Sequence, residues 1–228
     1  LGAYNFEGFV QGGANVSAQS GLHISNHPLV LHKLAVLRDV STDFRSFREL
    51  VKELSMLLCY EATQDLSLQP KQVQTPMGAA VGHKAHETIG LVPVLRAGLG
   101  MVEGVLQLLP SVQVWHIGLY RDEQTLQPVH YYNRLPKESH IDIALILDPM
   151  LATGGSAVAT VNLIKNSGIR RVKYIGLIAA PEGVERLSTA HPDVPIHVAA
   201  LDERLNEIGY IVPGLGDAGD RQFGTSPT

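Results

Sequence analysis

The chain has a single cysteine, Cys59, in 228 residues. No intrachain disulfide can form, which suits a reducing compartment and makes the cytoplasm the expected location. Cys59 lies in the apolar run Met56-Leu57-Leu58-Cys59-Tyr60, where a free thiol is expected to pack as a small hydrophobe rather than react. Also missing is any apolar stretch near the ~20 residues that a membrane span needs. No basic segment leads into an apolar one near the start, so a secretory signal is not expected. The chain opens on Leu1 rather than Met, which leaves organellar targeting by a preceding segment open. Positive charge is not in excess. Lys and Arg number 18 against 22 Asp and Glu, a net charge of −4, so no global basic field draws the chain to nucleic acid or anionic membrane. A Walker-type lysine motif and a G-x-S-x-G elbow are both absent.

What is present is an ordinary globular composition, 45% hydrophobic and 18% charged, in a length that makes one domain with a substantial core. The Gly-, Asn-, Gln- and Ser-rich start reads as a flexible arm over 1–25, followed by a single domain over 26–228. Pro28 to Arg38 is a helix candidate. A second helix, capped by Ser41 or Thr42, carries Phe44, Phe47, Leu50, Val51, Leu54, Leu57 and Leu58 at spacings of three and four. Thr63 to Glu87 reads as loops or a hairpin. Short apolar runs then alternate with helices. Strands are expected at Ile89–Leu95, Val112–Leu119, Ile141–Asp148, Val172–Ala179 and Ile196–Leu201. Helices are expected at Gly98–Leu109, Ser156–Asn166 and Glu182–Thr189, and Tyr120 to His140 reads as a projecting loop or hairpin. This alternation implies a parallel sheet covered on both faces, an α/β architecture. Ligands of such sheets bind beyond the carboxyl ends of the strands, so the segments starting at Arg96, Arg121 and Asp148 should meet on one edge.

Four segments carry candidate chemistry. In Asp148-Pro149-Met150-Leu151-Ala152-Thr153-Gly154-Gly155-Ser156 a strand ends in an acid, a glycine turn follows, and then a helix starts. Free N–H groups and a partial positive charge at a helix start suit a phosphate, and a carboxylate suits two vicinal hydroxyls. The plainer alternative is a strand-to-helix turn capped by Ser156. Arg96-Ala97-Gly98 offers a guanidinium and backbone donors for a second anion, or simply an ion pair with a surface acid. Arg121 opens the polar projection, which is either a lid closing on a charged substrate or a solvated loop. Tyr210 to Asp220 contains a literal G-x-G-x-x-G at Gly214, Gly216 and Gly219. Only residues 220–228 follow it, too few to complete a dinucleotide unit, so a rigid backbone cradle for a small planar ligand is the better reading. His83 and His86 have helical spacing in a loop-like region without further ligands. His27 and His32 read as surface or packing residues.

In this order the segments resemble the uracil phosphoribosyltransferases, over nearly all the chain outside the arm. The most specific stretches are Val92 to Gly100, Asp148 to Ser156, Ala180-Pro181-Glu182-Gly183, His191-Pro192-Asp193 and Gly209 to Asp220. The resemblance implies a type I phosphoribosyltransferase fold with a mainly parallel sheet, a small C-terminal hood and a projecting hairpin. It implies synthesis of UMP and diphosphate from uracil and 5-phosphoribosyl 1-diphosphate (PRPP), with Mg2+ entering as the PRPP complex. By the same resemblance, Asp148 would hold the ribose hydroxyls, Ala152 to Ser156 the 5-phosphate, and Arg96, Ala97, Gly98 and Arg121 the diphosphate. Tyr210, Ile211, Gly216 and Ala218 would recognise uracil, with Asp217 near both uracil and PRPP. Arg121 and Asp217 would be the catalytic pair. Pro149, where many phosphoribosyltransferases carry a second acid, matches the uracil branch. Cys59 stands where relatives often carry Thr. Family members assemble as homodimers or larger, and some respond to GTP as an allosteric effector. The competing implication of the same fold is an RNA-binding regulator of pyrimidine genes, which the net charge disfavours.

Overall fold

A computed structural model describes residues 21–121, 128–135 and 140–225. Its elements follow one another as β1 (Leu22–Ile24), α1 (Pro28–Arg38), α2 (Phe44–Ala62), β2 (Leu68–Thr75), β3 (Gly78–Ala85), β4 (Ile89–Leu95), α3 (Leu99–Leu108), β5 (Gln113–Val114), β6 (Ile117–Arg121), β7 (Pro128–Asn133), β8 (Ile143–Leu147), β9 (Met150–Leu151), α4 (Gly155–Asn166), β10 (Arg171–Ala179), α5 (Pro181–Ala190), β11 (Ile196–Leu201), β12 (Arg204–Leu205), β13 (Ile211–Val212) and α6 (Ala218–Phe223). The main sheet runs in the order β1-β11-β10-β8-β4-β6-β7, with β5 added to β4 and β9 to β10. All its pairings are parallel except β6 with β7.

The period-two alternation of side chains explains why the central strands read as unbroken apolar runs: both faces are buried. Ile89 and Leu91 of β4, Ile143, Leu145 and Leu147 of β8, and Ile175 and Leu177 of β10 pack under α1, α2 and α3. Val92 and Val94, Ala144 and Ile146, and Val172 and Tyr174 pack on the other side against α4 and α5. Each fully buried Leu or Ile contributes about 2 kcal/mol, so these two layers dominate the stability.

Several sequence expectations are corrected. The cap of α2 is Asp43, whose carboxylate accepts the Ser46 N–H at 2.8 Å. Thr42 instead donates to the carbonyl of Val36, and Ser41 to Asp39. The strand expected over Val112–Leu119 is two pieces, because the ladder lapses at Trp115 and His116, while β5 and β6 pair with successive parts of β4 in one register. Of Tyr120 to His140, read as a projecting loop or hairpin, the described residues show the antiparallel pair: β7 returns along β6 and forms the edge of the sheet. The hairpin that does stand apart is β2–β3, a separate two-stranded sheet exposed along most of its length. Leu22–Ile24, assigned to the arm, add a strand beside β11. His27 has a specific task, since its Nδ1 accepts the Leu29 N–H and caps α1.

Candidate active site

The carboxyl ends of β8, β4 and β6 lie side by side because the three strands are parallel neighbours. Asp148, Arg96 and Arg121 therefore arrive at one edge, as expected. The backbone of Arg121 closes β6, and residues 122–127 of the anticipated lid lie outside the described residues.

Asp148 and Pro149 interrupt a strand whose register is the same on both sides: Leu147 pairs with Ile175, and Met150 with Ile178. Proline has no N–H to give the ladder, so the break falls there. Its carbonyl still accepts from Leu177 and Ile178 at 2.9 and 3.1 Å. Tyr174, fully buried, donates its hydroxyl to the carbonyl of Asp148 at 3.0 Å and holds the peptide from below. Burial pushes the Asp148 carboxyl up to about 7, against the opposing pull of the Met150 N–H. Two ligand hydroxyls donating to it would favour the ionised form and lower the value again.

Past β9, Ala152 and Thr153 turn into α4. Gly154, at φ 75°, is the N-cap and supplies no side chain to cap the helix. The Ser156 cap of the plainer reading is therefore not made, and the first turn of α4 keeps its donors for an anion. The turn is pressed against α5. A Cβ on Gly183 would lie 2.4 Å from the Ala152 carbonyl oxygen, and one on Gly154 2.8 Å from the Gly183 carbonyl oxygen. Leu151 is buried in the core, so only its backbone can face a ligand.

Arg96, Ala97 and Gly98 form the turn between β4 and α3. Gly98 packs directly on β8: a Cβ there would lie 2.3 Å from the Leu147 carbonyl oxygen. This contact sets the second anion-binding candidate beside Asp148. Arg96 is 64% exposed and lies 3.8 Å from Asp220. The ion-pair alternative for Arg96 is thus realised, but a long, solvated pair contributes little and leaves the guanidinium available to a stronger anion.

The C-terminal segment arches over this edge as a hood. Strands β12 and β13 form a small antiparallel sheet, and Gly214 and Gly216 follow at φ 66° and 79°. The cradle ends in α6, a helix that the Gly- and Asp-rich composition concealed. Asp217 caps it by accepting the Asp220 N–H at 2.8 Å. Ile211 and Ala218 are buried, so a ligand could meet them mainly through their backbone. Tyr210 is partly exposed.

The hood is anchored by residues that the sequence did not single out. Arg38 clamps Asp202 with 2.8 and 2.5 Å bonds and donates to the Gly214 carbonyl at 2.7 Å. Asp202 in turn accepts the Gly214 N–H at 2.9 Å. Arg221 donates to the carbonyls of Leu215 and Asp39 and covers the ring of Phe47. Glu182, at the start of α5, accepts the Leu205 N–H at 3.0 Å, so α5 braces the hood and the Ala152 turn at once.

Burial pushes the Cys59 thiol up to about 12 and keeps it out of the chemistry. Among the described residues, no group of three or more His, Cys, Asp or Glu side chains could hold a metal ion, and no helix is long and apolar enough to cross a membrane.

A parallel sheet with an acid and an uncapped helix start at its carboxyl edge, an arginine turn beside them and a glycine cradle above defines a class. It is that of α/β proteins built to hold a sugar phosphate next to a flat ligand. The chain belongs to the uracil phosphoribosyltransferase family, whose profile matches residues 24–225. A uracil phosphoribosyltransferase of Roseiflexus castenholzii is 63% identical over 202 residues, 89% of this chain and 97% of the relative. One from Halalkalibacterium halodurans is 56% identical over 207 residues, 90% and 99% of the two chains. A solved structure of an Aquifex aeolicus protein superposes with a TM-score of 0.85 at 42% identity, covering 91% of this chain and all of that one.

Proposed function

We propose that this chain transfers the 5-phosphoribosyl group of PRPP to N1 of uracil, giving UMP and diphosphate in pyrimidine salvage. The observation that carries the reading is the convergence of Asp148, the uncapped start of α4 and the Arg96 turn on one sheet edge under the Ile211–Ala218 cradle. In this reading Asp148 accepts the ribose hydroxyls and Ala152 to Ser156 hold the 5-phosphate. Pro149, Met150 and Leu151 shape the strand end that carries them. Arg96, Ala97, Gly98 and Arg121 receive the diphosphate.

No protein nucleophile is required. The C1–diphosphate bond breaks as positive charge grows on the ribose, uracil N1 attacks the opposite face, and the N1 proton is released to solvent. The work of the chain is to align the two reactants and to stabilise the leaving charge with Arg96 and Arg121. Uracil recognition rests on the backbone of Ile211, Gly216 and Ala218, with Tyr210 at the rim. A rigid row of peptide donors and acceptors matches the alternating carbonyl and N–H edge of uracil. Cytosine would leave a buried group unpaired, a heavily penalised mismatch.

Mg2+ would enter as part of the PRPP complex, with the Asp217 carboxylate offering an oxygen donor beside it. Bound there, it would add charge neutralisation on the diphosphate. Response to GTP and assembly as a homodimer or larger belong to the same proposal. The test is a product assay with labelled uracil, PRPP and magnesium, run with and without GTP, beside a solution measurement of mass. Formation of UMP supports the reading, and its absence from a folded sample refutes it. The RNA-binding alternative has no observation in its favour.

A further inference from the structure

We infer that Gln222 is a positioning residue that ties the diphosphate turn to the base cradle, so that filling one favours filling the other. The inference rests on the functional reading above and extends it to a residue that touches neither ligand site's chemistry.

Gln222 is fully buried. A buried amide costs stability unless its groups are bonded. Its Nε2 donates to the Ala97 carbonyl at 3.0 Å and to the Ala218 carbonyl at 2.9 Å. Ala97 sits in the turn after β4, and Ala218 opens α6 at the end of the cradle. With both N–H groups engaged, the orientation of the amide is fixed, and Oε1 faces Gly100. That oxygen is buried without a hydrogen-bond partner. A Cβ on Gly100 would lie 1.7 Å from it, so only glycine leaves room.

An apolar side chain of the same length would fill this space with no orphaned acceptor. It would also strip the Ala97 and Ala218 carbonyls of their donor, and what the amide supplies is a link between two ligand-facing segments 121 to 125 residues apart in sequence. The Arg96–Asp220 pair joins the same two segments on the surface, but it is long and solvated. Gln222 is the buried link. A ligand that seats Ala97 also seats Ala218, and equilibrium coupling of this kind is reciprocal.

The experiment is calorimetric binding of uracil, alone and with a saturating magnesium salt of inorganic diphosphate, to the parent protein and to Gln222→Met. In the parent, diphosphate should tighten uracil binding about tenfold, within the usual range of coupling between sites. In Gln222→Met the gain should fall below about twofold, while diphosphate alone binds within about threefold of the parent. A merely structural role would weaken each ligand alone and leave the ratio unchanged. If Gln222→Met does not fold, Gln222→Asn, which keeps the amide but lacks the reach, should show the same loss. A parent that binds both ligands without coupling, or a variant that retains the full ratio, overturns the inference. A parent that binds neither ligand overturns the functional reading, and this inference with it.

Discussion

Gly183 lies against the carbonyl of Ala152, so close that a Cβ would stand 2.4 Å from the oxygen and 2.6 Å from that of Leu151. Both obstacles are backbone, and neither can swing aside. Gly183→Ala must therefore push the Ala152 turn away from α5. The expected result is a KM for PRPP raised roughly tenfold or more with a nearly unchanged KM for uracil, since small misplacements of binding groups are costly. Steady-state kinetics with each substrate varied checks this.

Asp148 should act against stability when ionised. Between about pH 4 and pH 7 the folded chain keeps a proton on this carboxyl that the unfolded chain has lost, so stability falls as pH rises through the window. Above pH 7 the cost is complete. Asp148→Asn retains an acceptor for the Met150 N–H and removes the charge. It should stabilise the ligand-free protein at pH 8 by on the order of 2 kcal/mol, and hardly at pH 4, while abolishing turnover. Denaturant unfolding at the two pH values decides the matter.

Arg121→Ala should lower kcat by about 10²-fold, the scale for removing one stabiliser of transition-state charge. The melting temperature should stay close to that of the parent. Near-normal turnover would remove Arg121 from the chemistry.

Arg38→Ala leaves the Asp202 carboxylate, only 4% exposed, without its cation. Breaking such a pair costs about 3 kcal/mol, and here the loss falls on the Gly214 turn. The KM for uracil should rise by a larger factor than that for PRPP. Equal changes in both would show that the clamp does not serve the hood.

How much of this was legible in the sequence depends on where each signal originates. Strands β4, β8 and β10 are apolar on both faces, and their sequences announce them. The turn from Asp148 to Ser156 is equally plain, because acid, glycines and helix start follow in a few residues. By contrast β9 is two residues long, and α6 is written in Gly, Asp and Arg. Arg38, Asp202 and Gln222 are polar residues whose partners lie far along the chain, at separations of 164 residues for Arg38 with Asp202 and 125 for Gln222 with Ala97. No local pattern marks such residues. Gly183 lies in a family stretch, but its contact with Ala152 emerges only from the packing of α5.

His197 should work against stability on the acid side. It is stacked on His23 with ring centroids 4.5 Å apart and planes 7° from parallel, and burial pushes its imidazole down to about 4. Below pH 6.5 the unfolded chain takes up a proton that the folded chain refuses, so this group withdraws stability as pH falls from 6.5 toward 4, against the gain from Asp148 over the same window. His197→Phe keeps a ring against His23 and removes the titration. As pH falls across that window the variant should gain melting temperature relative to the parent, and parallel curves would exclude His197 as a contributor.

The pairing of β1 with β11 joins residues 22–24 to residues 196–198. A contact between such distant parts of a chain is slow to close, so β1 should dock among the last events of folding. Until it does, β11 presents a bare row of peptide groups between the buried side chains of Ile196 and Val198. That row is a template for any other extended chain, including a second unfinished copy of this one. Three residues at the rim of the sheet thus cover that row like a selvage and leave a shorter edge in its place.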